Sequence, residues 1–186
     1  ELSERSYFIL LRQVKKRVEI FREENIPLIS DLQQQEQEFS AITGAMTIEM
    51  NGQEITLQQA GNYLEQTDRA LRESVFFKVN NRRLLDKDKL NDLLHSLIEK
   101  RSKVAANAGF SSYREYMFAS LGRFDYSVED CLQFHQSVEK LLVPLNNQVD
   151  ERHRNDLGLK ELRPCDSAAS KPGQSPLKPC ESGSDL

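Results

Sequence analysis

Met46-Thr-Ile-Glu-Met-Asn51-Gly52-Gln-Glu-Ile-Thr-Leu57 is the stretch in which the apolar period switches to two, with Met46, Ile48 and Met50 alternating against Thr47 and Glu49. Asn-Gly between two alternating runs is the strongest short signal for a β-hairpin, because both residues tolerate the positive φ of a type I′ turn. The sequence therefore predicts one hairpin at about residues 46–57. An isolated two-stranded hairpin is marginal in water, so its apolar face (Ile48, Ile55 or their neighbours) is expected to lie on helices or on further chain.

On both sides the period returns to that of a helix. Before the hairpin, Tyr7, Leu11, Val14, Val18 and Phe21 follow a 4-3-4-3 spacing from Ser6 to Glu24. That places them on one face of a helix, expected to pack on its neighbours and to be broken at Ile26-Pro27. A polar helical stretch follows through Gln33-Gln34-Gln35-Glu36. After the hairpin come a short helix from Leu57 to Leu64, a longer one from about Asp68 with Leu71, Val75, Val79 and Leu84 in phase, and another from Asp86 to Ala105. Gly109 supplies the left-handed residue that a helix C-terminus favours. Ser112-Tyr-Arg-Glu115 and Ser127-Val-Glu-Asp130 have capping-box spacing, in which a hydroxyl and a carboxylate satisfy two orphan N–H groups. The helix opened by Ser127 is expected to continue through Pro144 with a kink and to stop at Gly158. The fold class is therefore mainly α, a multi-helix array with one hairpin.

The 186 residues suit one ordinary domain or a piece of a larger one. A formal net charge of −4 gives no global basic excess for a phosphate backbone, so nucleic acid is not an expected partner. The longest purely apolar run, Tyr7–Leu11, falls far short of the roughly 20 residues of a membrane span, and the first residues lack a signal peptide's apolar core. Neither membrane association nor secretion is expected. Cys131, Cys165 and Cys180 form no C-x-x-C and no even framework, which makes a reducing cytoplasm the default. Glu1 is not an initiator methionine, so the chain is read as an excerpt.

The catalytic motifs with mechanical content are missing from this sequence: no phosphate-cradling glycine loop, no nucleophile elbow and no H-E-x-x-H. His95 with Glu99 and His135 with Glu139 each lie at i,i+4, yet a zinc site needs three or four ligands, and no third is fixed by spacing. They are read as surface pairs, and a small independent metalloenzyme built on either histidine is rejected on that count. Asp130 is read as a cap, Asp125 as a solvated loop residue, Arg82-Arg83 and Arg152-His153-Arg154 as helix-terminal charges, and Cys131 as a small buried hydrophobe. No catalytic, cofactor-binding or metal-ligating residue is assigned within the chain.

A set of strings carries a family resemblance. Ala41-Ile-Thr-Gly-Ala-Met-Thr47 leading into Asn51-Gly-Gln-Glu-Ile-Thr-Leu57, then Asp68-Arg-Ala-Leu-Arg72, Ala106-Asn-Ala-Gly-Phe110 with Tyr113-Arg-Glu-Tyr116, Leu121-Gly-Arg-Phe-Asp-Tyr126 and Leu162-Arg-Pro164 together resemble the bacterial oligoendopeptidase F family of zinc metallopeptidases. The resemblance implies a larger, two-lobed helical peptidase fold around a deep cleft, with short peptides as substrates. It also implies zinc held by the two histidines of H-E-x-x-H and a downstream Glu, all beyond Leu186. It divides the chain into residues 1–66, the end of an N-terminal region with the hairpin; 67–163, the opening helices of the peptidase domain; and 164–186, a truncated connector. Four of the six prolines lie in that connector. Cys165 and Cys180 stand where relatives tend to have aromatics, and each lost anchor costs about 3 kcal/mol if buried, so either a poorly docked tail or a sequence that has diverged or decayed there is expected. The resulting expectation is the noncatalytic front portion of a cytoplasmic zinc endopeptidase. Its alternative is a stand-alone helical protein-binding or scaffold module that docks partners on the Tyr7–Phe21 stripe and the hairpin.

Overall fold

The computed structural model describes residues 4–174. In chain order it contains α1 (Glu4–Ile20), α2 (Asn25–Gly44), β1 (Thr47–Met50), β2 (Gln53–Thr56), α3 (Leu57–Leu64), α4 (Arg69–Leu85), α5 (Lys87–Asn107), α6 (Tyr113–Ser120) and α7 (Val128–Ser137). A π-helical segment (Val138–Leu142), α8 (Val143–Asp156) and a 3-10 turn (Pro164–Asp166) follow. The fold is mainly α with one antiparallel hairpin, as the periodicity predicts. Two compact units arise by packing: Glu1–Ile42 with Asp88–His135, and Thr43–Lys87 with Gln136–Leu186. These discontinuous units group residues by contact, whereas the ranges 1–66, 67–163 and 164–186 follow family resemblance along the chain.

In the first unit, α2 and α5 are joined by polar contacts around buried apolar residues. Leu32 and Ile42 of α2 and Leu93, Leu97 and Val104 of α5 are buried. Asn25, buried at the start of α2, donates to the carbonyl of Val104 at 3.0 Å and accepts from Asn107 at 2.8 Å. Gln35 donates to Ser96 at 2.7 Å. The expected break at Ile26-Pro27 falls earlier, at Phe21–Glu24, and Pro27 sits in the first turn of α2. There the missing N–H removes no intrahelical bond.

The packed stripe expected on α1 is not packed. Tyr7, Leu11, Val14, Val18 and Phe21 are all exposed, Val18 at 71%, and among the described side chains of α1 only Ile20 near the helix end is buried. α6 is the neighbour of α1 and covers one side of it. A bidentate pair anchors this contact: Arg12 donates to Asp125 at 2.8 and 3.0 Å while its guanidinium lies over Phe8 and Phe124 at 5.2 and 4.4 Å. Asp125 is thus an ion-pair partner rather than a merely solvated residue, and Arg12 holds its carboxyl below the ordinary value.

The second unit is built on the hairpin. Asn51 and Gly52 take φ of 54° and 76°, and Met50 pairs with Gln53 across the two-residue turn. Ile48 and Met50 are buried against Ala60 of α3 and Val75 and Val79 of α4, with Ile55 partly covered, so the hairpin finds its helical support within the chain. Thr56 ends β2 and caps α3: its hydroxyl accepts from the Gln59 N–H at 3.2 Å, and the Gln59 side chain accepts from the Thr56 N–H at 2.9 Å. The helix through Pro144 is interrupted by no simple kink. The π-helical segment ends just before it, with Val143 N–H bonded to the carbonyl of Val138, and Pro144 falls in the first turn of α8. A wide turn followed by a fresh helical start removes the clash that an interior proline produces.

Candidate functional site

Asp68 opens α4 by accepting from the N–H groups of Ala70 and Leu71 at 2.9 and 3.2 Å. Arg69 and Arg72 then lie one turn apart in the opening turns of that helix. Pro164 starts the 3-10 turn and Asp166 ends it, with its side chain 0% exposed. Arg72, at 2%, donates Nη2 to Asp166 at 2.7 Å, Nε to the Cys165 carbonyl at 3.2 Å, and Nη1 to the carbonyls of Gln66 and Thr67 at 2.8 and 3.0 Å. Arg69 donates to both carboxylate oxygens, Nη2 at 2.7 Å and Nε at 3.1 Å, and the Arg163 N–H donates at 3.0 Å. Nε2 of His153 lies 3.0 Å from the Asp166 carbonyl oxygen, which can only accept, so that nitrogen carries the proton.

Burial pushes the Asp166 carboxyl up, but the hydrogen bonds from Arg69, Arg72 and the Arg163 backbone outweigh it and hold the group at about 2. Burial raises the Cys165 thiol, helped by the charges of Asp166 and Glu73. The node is a saturated, charge-assisted clamp. A carboxylate so fully engaged is equipped to hold chain together rather than to shuttle protons.

Beside the clamp, Ile55, Gln59, Asn62, Tyr63, Gln66 and Leu71 line an open groove of about 480 Å3. Its lining combines apolar surface with neutral amides. Gln66 belongs to both features, since Arg72 holds its carbonyl.

The titratable residues singled out from the sequence are scattered. His95 meets Glu99 at 3.3 Å with both side chains exposed. His135 lies in the last turn of α7 and Glu139 in the π-helical segment. His153 serves the clamp. Asp130 exchanges hydrogen bonds with Ser127, accepting from its N–H at 2.7 Å and donating its own N–H to the Ser127 hydroxyl at 3.1 Å. At Ser112 the box is half made: the hydroxyl accepts from the Glu115 N–H at 3.3 Å, while the Glu115 carboxylate accepts from Ser111 at 2.7 Å. Arg82 pairs with Asp86 at 2.5 Å, and Arg154 with Glu151 at 2.7 Å and with the carbonyls after α8. Cys131 is only half-buried.

Among the described residues no three of His, Cys, Asp and Glu are grouped to hold a metal ion. The donor set therefore does not fit a zinc centre, and no reaction step is assigned to these residues. The expected poor docking of the connector is corrected for its described part. Cys165, Asp166 and Ala169 are buried, and the Ser170 N–H donates to the Glu65 carbonyl at 2.9 Å. The anchor is ionic rather than aromatic, which a search for lost aromatics misses. A sequence signal did exist: two arginines in the opening turns of a helix oppose its dipole unless a carboxylate meets them. Cys180 lies outside the described residues.

The hairpin is mounted on helices and the proline-led turn is clamped to α4 within a mainly helical array. Residues 62–175 match the model of peptidase family M3, and the chain belongs to that family. Its structure is similar to one described as an oligoendopeptidase F from Bacillus anthracis, with a TM-score of 0.85 and 20% identity over 91% of this chain and 31% of that one. It is also similar to PZ peptidase A solved with an inhibitor (TM-score 0.85, 24% identity, 89% of this chain and 30% of that one). Oligoendopeptidase F from Enterococcus faecium matches at a TM-score of 0.70 and 23% identity, over 90% of this chain and 35% of that one. The chain thus spans about a third of the length of these solved structures and corresponds to part of a larger helical fold. No curated protein matched.

Proposed function

We propose that this chain is the front, noncatalytic portion of a zinc-dependent metalloendopeptidase that hydrolyses short oligopeptides in the cytoplasm, and that it forms part of the substrate-cleft wall. The observation that carries the reading is the peptidase family M3 match over residues 62–175. In this reading residues 1–66 end an N-terminal region, 67–163 open the peptidase domain, and 164–186 lead toward the catalytic part. The zinc would be held by residues outside the chain, since among the described residues the histidines have no third ligand grouped with them. Zinc held there would polarise the scissile carbonyl and activate water for attack. This chain supplies walls that limit entry to unfolded peptide.

Two measurements test the proposal. The reading frame after Leu186 should encode H-E-x-x-H followed by a downstream Glu; its absence over the next few hundred residues removes the peptidase reading. The 186-residue chain should leave fluorogenic oligopeptides uncut, while the extended chain cuts them in a chelator-sensitive way. Cleavage by the 186 residues alone, sensitive to chelator, overturns the noncatalytic assignment.

The alternative of a stand-alone binding module draws on the exposed α1 stripe. It predicts a chain that melts cooperatively as a monomer and binds one protein partner tightly, losing that binding when Val18 is changed to Lys.

A further inference from the structure

The segment after α8 is held in an unusual way. Among its described residues the fully buried apolar side chains are Cys165 and Ala169, with Leu157, Leu159 and Leu162 half-buried before the turn, and a set of polar contacts ties residues 163–171 down. Asp166 receives Arg69, Arg72 and the Arg163 N–H; Arg163 pairs with Glu73 at 2.7 Å; Ser170 donates to Glu65; Lys171 pairs with Asp156 at 2.7 Å. The core made by Ile48, Met50, Ala60, Val75 and Val79 has no member from this segment. Apolar burial is the cooperative glue of a domain, and a segment contributing little of it can open at a cost well below global unfolding.

We propose that residues 163–171 form an electrostatically latched strap, closed on α4 by the Asp166 carboxylate, which opens as a unit while the core of hairpin, α3 and α4 stays folded. Opening has a consequence for the groove. The guanidinium that holds Asp166 also donates to the carbonyls of Gln66 and Thr67, and Gln66 is part of the groove lining. With the carboxylate gone, Arg72 is a buried cation without its counter-charge and must reorient toward water. The 66–67 link then loses its donor, and the wall near Gln66 loosens. Strap and groove are therefore coupled through one side chain.

Cys165 reports the strap because its side chain is covered only while the strap is closed. In the full chain carrying Cys131→Ser and Cys180→Ser, maleimide alkylation of Cys165 is followed at neutral pH beside hydrogen exchange of the hairpin amides. Asp166→Asn should accelerate alkylation by about 10- to 100-fold while hairpin exchange changes by less than about twofold. Arg69→Gln, which leaves Arg72 in place, should give a smaller acceleration with the same unchanged hairpin, and it carries the test if Asp166→Asn yields too little protein. Alkylation that stays at the parental rate in the variants overturns the latch. Hairpin exchange that rises in step with alkylation also overturns it, because the strap is then an inseparable part of the core.

Discussion

Cations in the opening turns of a helix meet the positive end of its dipole, and in a buried setting they also lose their hydration. Arg69 and Arg72 stand at those positions and persist because one carboxylate, Asp166, answers both. This ties stability to pH in a defined direction. The Asp166 carboxyl has an ordinary value of 3.8 and a folded value of about 2, so between those values the unfolded chain binds more protons than the folded one. Its contribution is complete above the ordinary value and is lost as pH falls through the folded value. The groups facing it are Arg69, Arg72 and Glu73 on α4, His153 on α8 and Arg163 and Cys165 on its own segment. Urea denaturation at stepped pH should show stability falling from about pH 4 to pH 2, with the slope reduced in Asp166→Asn; an unchanged slope refutes the assignment. The variant is needed as reference because Asp125 and Asp156 are also held low, by Arg12 and Lys171.

Elements were largely legible from local pattern. The Asn51-Gly52 turn, the Leu57–Leu64 helix and the Ser127 cap were all readable, since each rests on contacts within a few residues. Gly52 and Gly61 make the point quantitatively. Gly52 needs its φ of 76°, so Gly52→Ala should destabilise the chain by about 1 kcal/mol. Gly61 sits inside α3 with nothing within 4 Å of an added Cβ, so Gly61→Ala should stabilise by about 0.5–1 kcal/mol. Thermal denaturation of the two variants should move in opposite directions; movement in the same direction contradicts this account. Burial was less legible. The α1 stripe has the period of a packed helix yet remains exposed, because periodicity states which residues share a face and not whether a partner lies on it.

At the scale of the whole molecule, Phe8, Ile9 and Val18 on α1, Phe21 just after it, and Leu141, Leu145 and Val149 around α8 leave much apolar surface in water. Monomeric soluble proteins rarely carry large contiguous patches of that kind. If the rest of a larger peptidase covers these faces, the 186-residue chain should bind a hydrophobic dye and melt with weak cooperativity, and the extended chain should do neither. Ile9→Lys with Val18→Lys should reduce dye binding while changing stability by less than about 0.5 kcal/mol, since neither side chain is packed. Strong dye binding that survives both the extension and the substitutions contradicts this. Alternation and turn chemistry determined the hairpin, and apolar spacing with caps determined the helices, because those signals act between residues close in the chain. The family strings pointed to a peptidase without supplying a reactive residue. Only the tertiary structure decided that Asp166 closes on Arg69 and Arg72, that the turn at Pro164–Asp166 is buried against α4, and that the α1 stripe stays open. Each of these depends on which distant segment comes within reach, and a local pattern does not encode that.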